Sequence, residues 1–189
     1  MLVAAFYNSM SSRGLALRLR RSAETFGVRC RVFDRSGRAG IDGERGWRPE
    51  ALMRTLADFP DDDVLLLEPG SVLLARPDFV LDEPDFDSAV HVDAATGLPT
   101  GPLFLRNNDR LWEMLRSWYY LCRDHPECGE YGTLLMALED VRLGLDVRDL
   151  PVTYSWVEGI HRDENPDATP VIARFLADGR TTTRFVVVS

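Results

Sequence analysis

The chain contains no lysine, so all 22 of its basic side chains are arginines. That absence excludes a Schiff-base lysine and the lysine-bearing phosphate loop, and any phosphate must be held by arginine or by backbone amides. Cysteine is scarce too. Cys30, Cys122 and Cys128 are an odd number, too few for a disulfide scaffold, and they fit a reducing compartment. Long apolar runs are missing as well. The opening Met-Leu-Val-Ala-Ala-Phe-Tyr lacks the basic region and apolar stretch of a signal peptide, and no window reaches the ~18 apolar residues of a membrane span. The expectation is a soluble, cytoplasmic protein with no membrane partner. Positive charge is in deficit: 22 basic residues against 30 acidic ones leave a net charge of −8. Such a surface repels polyanions on average and excludes strong nonspecific DNA binding, while leaving room for a local basic pocket.

What remains is an ordinary globular composition. At 189 residues, with 45% hydrophobic and 28% charged, the chain can close one core, and a single domain over 1–189 is expected. Neither repeats nor low-complexity tracts interrupt it, which excludes solenoids and coiled coils. Residues 2–7 form a short apolar run that suits a buried strand. Leu15, Leu19, Ala23 and Phe26 then recur at helical spacing between the capping Ser11 and Ser12 and a stop at Gly27. Val28, Cys30 and Val32 alternate with Arg29 and Arg31 as in a half-wet strand. The segment 34–46 reads as a loop, 49–57 as a helix, and 64–67 as a central strand buried on both faces. Further strands are expected at 88–92 and 103–105, and helices over 109–123 and 131–141. Extended pieces follow at 147–150, 170–175 and 184–188. This order predicts an α/β class with a mixed sheet.

Ligands of open α/β sheets sit beyond the carboxyl ends of the strands. Four such ends carry polar residues: Tyr7-Asn8, Glu68-Pro69-Gly70-Ser71, Thr100-Gly101 and Ala173-Arg174. With Trp47-Arg48-Pro49, the 62–71 stretch Asp-Asp-Val-Leu-Leu-Leu-Glu-Pro-Gly-Ser, Thr100 to Leu105, Glu130 to Leu138, Leu150 to Tyr154 and Pro170 to Phe175, the chain resembles the small GT-A nucleotide-diphospho-sugar transferases over most of its length. The resemblance implies a single GT-A-like, Rossmann-like domain with a mixed, mostly parallel sheet flanked by helices. It also implies transfer of a sugar from a nucleotide-diphosphate donor, with uridine the expected base.

On that resemblance Phe6, Tyr7 and Asn8 help seat the base, Arg48 reaches the diphosphate, and Thr100 and Gly101 line the donor pocket. Glu68, Gly70 and Ser71 stand in the turn where relatives carry Asp-x-Asp, two hard-oxygen ligands for magnesium or manganese. Only Glu68 keeps a carboxylate, and Arg174 stands where many relatives have a histidine ligand. An arginine fork can meet the same phosphate oxygens as a cation. The expectation is therefore a transferase that needs no metal or uses one weakly, with Arg174, helped by Arg48, in the cation's place. For the acceptor's proton, Glu130 is the first candidate base, with Asp93 and His161 behind it. The acceptor is a saccharide, a protein or a modified nucleobase, and the lysine-free composition resembles that of high-GC bacterial or phage proteins.

Plainer readings stand beside each of these. Phe6 and Tyr7 serve equally as core aromatics, Arg48 as a solvated charge at a helix start, Glu130 as a helix N-terminal acid, Thr100-Gly101 as a turn, and Trp156 as a core ring. A noncatalytic nucleotide-sugar or carbohydrate binding protein of the same fold is the alternative function. Cys122, His125 and Cys128 offer three of four zinc ligands, although Cys122 also fits the buried face of its helix. The acidic loop over 163–167 lacks the glycine and final glutamate of a calcium loop.

Overall fold

The computed structural model describes residues 1–7, 9–34, 46–82, 85–92, 97–140 and 142–174, with side chains for all of these except 11, 100, 158 and 159. Strand β1 (Leu2–Tyr7) leads into helix α1 (Met10–Thr25) and strand β2 (Arg29–Asp34), the expected opening unit. The α1 cap sits earlier than expected. Ser9 is the N-cap and Ser12 its reciprocal partner in a capping box, so the helix starts at Met10.

Helix α2 (Trp47–Asp58) begins two residues before the expected start, after Gly46 at φ +77°. A Cβ on Gly46 would lie 3.0 Å from the Tyr119 ring, so a glycine lets this helix start close against a neighbouring helix. Strand β3 (Val64–Leu66) follows, then β4 (Ser71–Leu73), the one-turn α3 (Asp78–Leu81), β5 (Ser88–Val92) and β6 (Pro99–Leu105). Helix α4 (Asp109–Asp124) is capped by the Asn108 side chain, which accepts from the Leu111 N–H at 2.9 Å. Helix α5 (Gly129–Leu138), β7 (Val147–Asp149), α6 (Glu158–Glu164) and β8 (Ile172–Arg174) follow and end the described residues. The expected strand at 184–188 lies outside the described residues.

Among the described residues six strands form one sheet in the order β2-β1-β3-β6-β5-β7. Neighbours pair in parallel at β1/β2, β1/β3 and β5/β7 and antiparallel at β3/β6 and β5/β6, so β6 alone runs against the others. Strands β4 and β8 form a separate antiparallel ribbon.

Burial on both faces explains the uninterrupted apolar strands. Ala4, Leu66 and Val90 face α2, α4 and α5 through Leu52, Leu56, Leu115, Trp118 and Leu134. Val3, Ala5, Leu65, Ala89 and Phe104 face α1 and the ribbon through Leu19, Ala23, Tyr154 and Ile172. The carboxyl ends of the five like-directed strands and the amino end of β6 therefore share one edge of the sheet. Among the described residues no helix is long and apolar enough to cross a membrane.

Candidate functional site

Three segments far apart in sequence meet at that edge. Arg48, in the first turn of α2, turns toward the end of β3 and the start of α5. Its Nη1 donates to Glu68 Oε1 at 3.1 Å and its Nε lies 3.2 Å from Glu130 Oε1. Tyr131, next to Glu130, donates its hydroxyl to the same Glu68 oxygen at 3.1 Å. The Arg48 guanidinium also stacks over the rings of Trp47 and Tyr131 at 5.4 and 5.6 Å. Its side chain is only 14% exposed. Burial disfavours its charge, but the Glu68 and Glu130 carboxylates outweigh that and raise its pKa. The Tyr131 phenol is also pushed up, first by burial and then by Glu68.

Phe6 and Tyr7 end β1 beside this cluster. Phe6 stacks on Phe33 at 5.2 Å and meets Trp47 edge-on at 5.4 Å. Both rings are half-buried, so they wall the edge without being sealed into the core. Tyr7 faces Asp34 across the β1/β2 register, and burial followed by that carboxylate raises its phenol. Asn8 lies outside the described residues.

The turn Glu68-Pro69-Gly70-Ser71 joins this cluster to a second one. It closes through the Ser71 N–H donating to the Glu68 carbonyl at 2.9 Å, and Ser71, buried, pairs with Arg174 across the β4/β8 ribbon. Arg174 is therefore fixed at the far end of the same turn. Its backbone N–H is held by the Trp156 carbonyl at 2.8 Å. Its guanidinium lies over Gly101 of β6: a Cβ built on Gly101 would stand 3.1 Å from Arg174 Nη1 and 2.8 Å from Ser155 Oγ. Gly101 holds φ at +87°, a conformation that favours glycine. Among the described residues the Arg174 side chain has no carboxylate partner. Arg29, Arg54, Arg76 and Arg142, by contrast, each pair with an aspartate or glutamate.

The structure thus brings Glu68, Arg48 and Glu130 into contact, and Ser71, Gly101 and Arg174 into a second group one turn away. Thr100 is next to Gly101 on β6, with its side chain outside the described residues, and Asp93 lies outside them altogether. His161 sits on α6, a helix the sequence pattern did not show. Its Nδ1 accepts the Val157 N–H at 3.0 Å, so the neutral ring carries its hydrogen on Nε2 and has no second lone pair for a substrate proton. Trp156 is fully buried, between His161 and the Arg162 guanidinium at 5.7 and 4.8 Å, and is the core ring of the plainer reading.

The proposed zinc ligands diverge. Cys122 is buried against the Thr133 hydroxyl at 3.2 Å, Cys128 is exposed, and His125 Nδ1 meets Glu127 at 3.3 Å. Among the described residues no group of three His, Cys, Asp or Glu side chains converges as a metal site would. At the turn itself, Glu68 already accepts two hydrogen bonds on Oε1, Glu130 is paired to Arg48, and Gly70 offers no ligand. The turn itself thus offers a single carboxylate, fewer than the hard-oxygen ligands a divalent cation takes.

Two members of the site were missed from the sequence. Tyr131 had a signal, since it directly follows Glu130, the candidate base, at the start of an expected helix. Ser155 had none, because it follows a 3-10 turn, Val152–Tyr154, with no recognisable pattern.

No family model matches the chain, and no curated protein matches it in sequence. Solved structures do match its fold. A glycosyltransferase involved in glycosylation of the major capsid of PBCV-1 superimposes with a TM-score of 0.70 at 12% identity, covering 93% of this chain and 92% of that one. The glycosyltransferase GlyE of Streptococcus pneumoniae TIGR4 gives 0.59 at 15% identity over 97% of this chain, which spans 57% of GlyE. The galactosyltransferase LgtC, solved with donor and acceptor sugar analogues, gives 0.54 at 12% identity over 94% of this chain and 88% of its own. The α/β fold, with its mixed and mostly parallel six-stranded sheet, is the GT-A fold of these enzymes.

Proposed function

We propose that this chain is a glycosyltransferase that uses a nucleotide-diphosphate sugar, with uridine the expected base, and that holds the diphosphate with arginine instead of a divalent cation. The observation that carries this reading is Arg174: a guanidinium with no carboxylate partner among the described residues, laid on a glycine at the carboxyl edge of the sheet. In a chain of net charge −8, an arginine left unpaired at such an edge is suited to an anion.

When the bond from the anomeric carbon to the phosphate oxygen breaks, negative charge collects on the diphosphate. Arg174 can present two parallel N–H donors to that charge without losing its own proton. Arg48 takes a different part from the one the resemblance implied. One guanidinium between two carboxylates leaves a surplus negative charge, which disfavours phosphate there. Arg48 serves instead as a brace that fixes Glu68 and Glu130, whose carboxylates accept hydrogens from sugar or acceptor hydroxyls.

The test is donor cleavage and transfer in EDTA. With a UDP-sugar and an acceptor panel, activity persists in chelator and falls sharply in Arg174→Ala. Full loss of activity in EDTA, restored by manganese, contradicts the arginine substitution. Binding of UDP without turnover on any donor favours a noncatalytic binding protein.

A further inference from the structure

Strand β5 ends beside the Arg174 cluster with an imidazole that the reading above leaves unused. His91 is half-buried on β5, and its Nδ1 lies 3.2 Å from the Leu150 carbonyl oxygen. A carbonyl can only accept, so Nδ1 carries a hydrogen and Nε2 keeps the lone pair of the neutral ring. Ala89, two residues earlier and so on the same strand face, packs with Leu150, Tyr154 and Ile172. That is the layer from which Ser155 and Arg174 reach the edge.

The register then sets His91 against Gly101. Val90 pairs with Leu103 and Val92 with Pro99, with a bulge between them, so His91 alone faces Thr100, Gly101 and Pro102. Bulges redirect side chains near functional sites. Gly101 thus has His91 across the strand pair and the Arg174 guanidinium over it.

Resting on the reading of Arg174 as the phosphate ligand, we propose that His91 Nε2, protonated as the donor binds, is a second cationic contact to the diphosphate. Binding then takes one proton from solvent onto Nε2, and no covalent bond changes. A second positive charge on the strand that faces Gly101, over which Arg174 lies, is unfavourable until an anion binds at this edge, which couples proton uptake to binding.

Among the described residues the other charged groups around His91 point elsewhere or are engaged. On β7, Asp149 pairs in register with Val90 and so lies on the opposite face, while Arg148 is committed to Asp146 at 2.8 Å. Tyr154 binds the Phe79 N–H, and burial pushes its phenol up to about 12. Strand β6 offers no titratable side chain opposite His91, and Asp93 is outside the described residues.

The test is calorimetry with UDP-glucose, whose diphosphate diester does not itself titrate between about pH 5 and pH 8, where an imidazole changes charge. Titrations in buffers of different ionisation heat count the protons taken up. His91→Asn keeps an amide donor for Leu150 and removes Nε2, while His91→Gln keeps a neutral donor farther out; thermal melts check that both fold. Wild-type affinity is expected to rise about tenfold as pH falls across that range, with uptake approaching one proton. In both variants the pH dependence and the proton uptake disappear. Wild-type binding that is insensitive to pH and takes up no proton, yet is lost in Arg174→Ala, overturns the role of His91 and leaves the arginine reading standing. No wild-type binding at any pH overturns both.

Discussion

Gly101 holds a backbone angle of +87° directly beneath Arg174 and Ser155, so a single methyl group there tests the cradle twice. In Gly101→Ala the residue loses about 1 kcal/mol or more to the left-handed conformation, and the added carbon displaces Nη1. Thermal unfolding should show a modest loss of stability, and calorimetry should show UDP affinity falling with it. A variant that keeps full UDP affinity would mean that the resting place of Arg174 on Gly101 does not matter. Arg174→Ala should leave stability nearly unchanged, since no ion pair is lost, and weaken UDP binding by roughly tenfold to a hundredfold, the worth of one charge-assisted hydrogen-bond pair. Equal binding by wild type and variant would remove Arg174 from the site. Arg174 stood out in the sequence as a polar residue at a strand end and, through the resemblance, as the residue in the place of a histidine ligand. What was not legible is that Arg48 pairs with two carboxylates while Arg174 pairs with none among the described residues. Pairing is decided by side chains that meet only after folding, here from positions 48, 68, 130 and 131.

Arg48 ties α2, the end of β3 and α5 together at the level of whole elements. Removing it in Arg48→Met leaves two half-buried carboxylates facing each other, and urea unfolding should report a loss of about 3–5 kcal/mol. Adding Glu68→Gln and Glu130→Gln should recover much of that loss, because the unpaired charges go with them. No recovery would mean that the arginine acts through packing and not through charge.

At the opposite edge of the sheet, Asp87 joins β5, α4 and β7. It accepts the Asn108 amide at 2.6 Å, the Asp146 N–H at 2.9 Å and an Arg110 guanidinium contact at 3.5 Å. Burial opposes its charge, but the Asp146 N–H, then Asn108 and Arg110, hold its carboxyl below the usual range. A depressed carboxyl stabilises the fold above its unfolded pKa, about 3.9, and loses that contribution as pH falls through its folded value. Asp87→Asn should therefore cost about 1–3 kcal/mol at neutral pH, and its deficit against wild type should close as the medium is acidified below pH ~4. A deficit that stays constant down to acid would rule out the charge as its cause.

Elements with strong periodicity, such as α1 and α4, were readable, as was β3 with its triple leucine. The ribbon of β4 and β8 was half hidden. Three-residue strands are too short for a period to show, and β4 follows so closely on the 68–71 turn that both read as one boundary. Helix α6 was hidden because its residues are mostly polar and it lacks a side-chain cap.

At the scale of the molecule, the chain carries surplus negative charge, yet Arg174 stands without a carboxylate partner among the described residues at the sheet edge where ligands of this fold class gather. The charge balance alone pointed away from polyanions, and correctly says nothing about one local site. Fold class was legible from the order of strands and helices. Handling of the donor was legible only as a gap, the missing second carboxylate at Gly70. Next to that position the structure places Glu68, bonded to Arg48 and Tyr131, and Arg174, which has no carboxylate partner among the described residues; the proposed reading assigns the diphosphate to Arg174. The most direct measurement is a calorimetric titration of UDP into EDTA-treated protein, wild type against Arg174→Ala, each repeated with manganese. The account predicts that wild type binds in chelator, that manganese adds little, and that the variant loses binding in both conditions. Binding that appears only with manganese and survives in Arg174→Ala would contradict it.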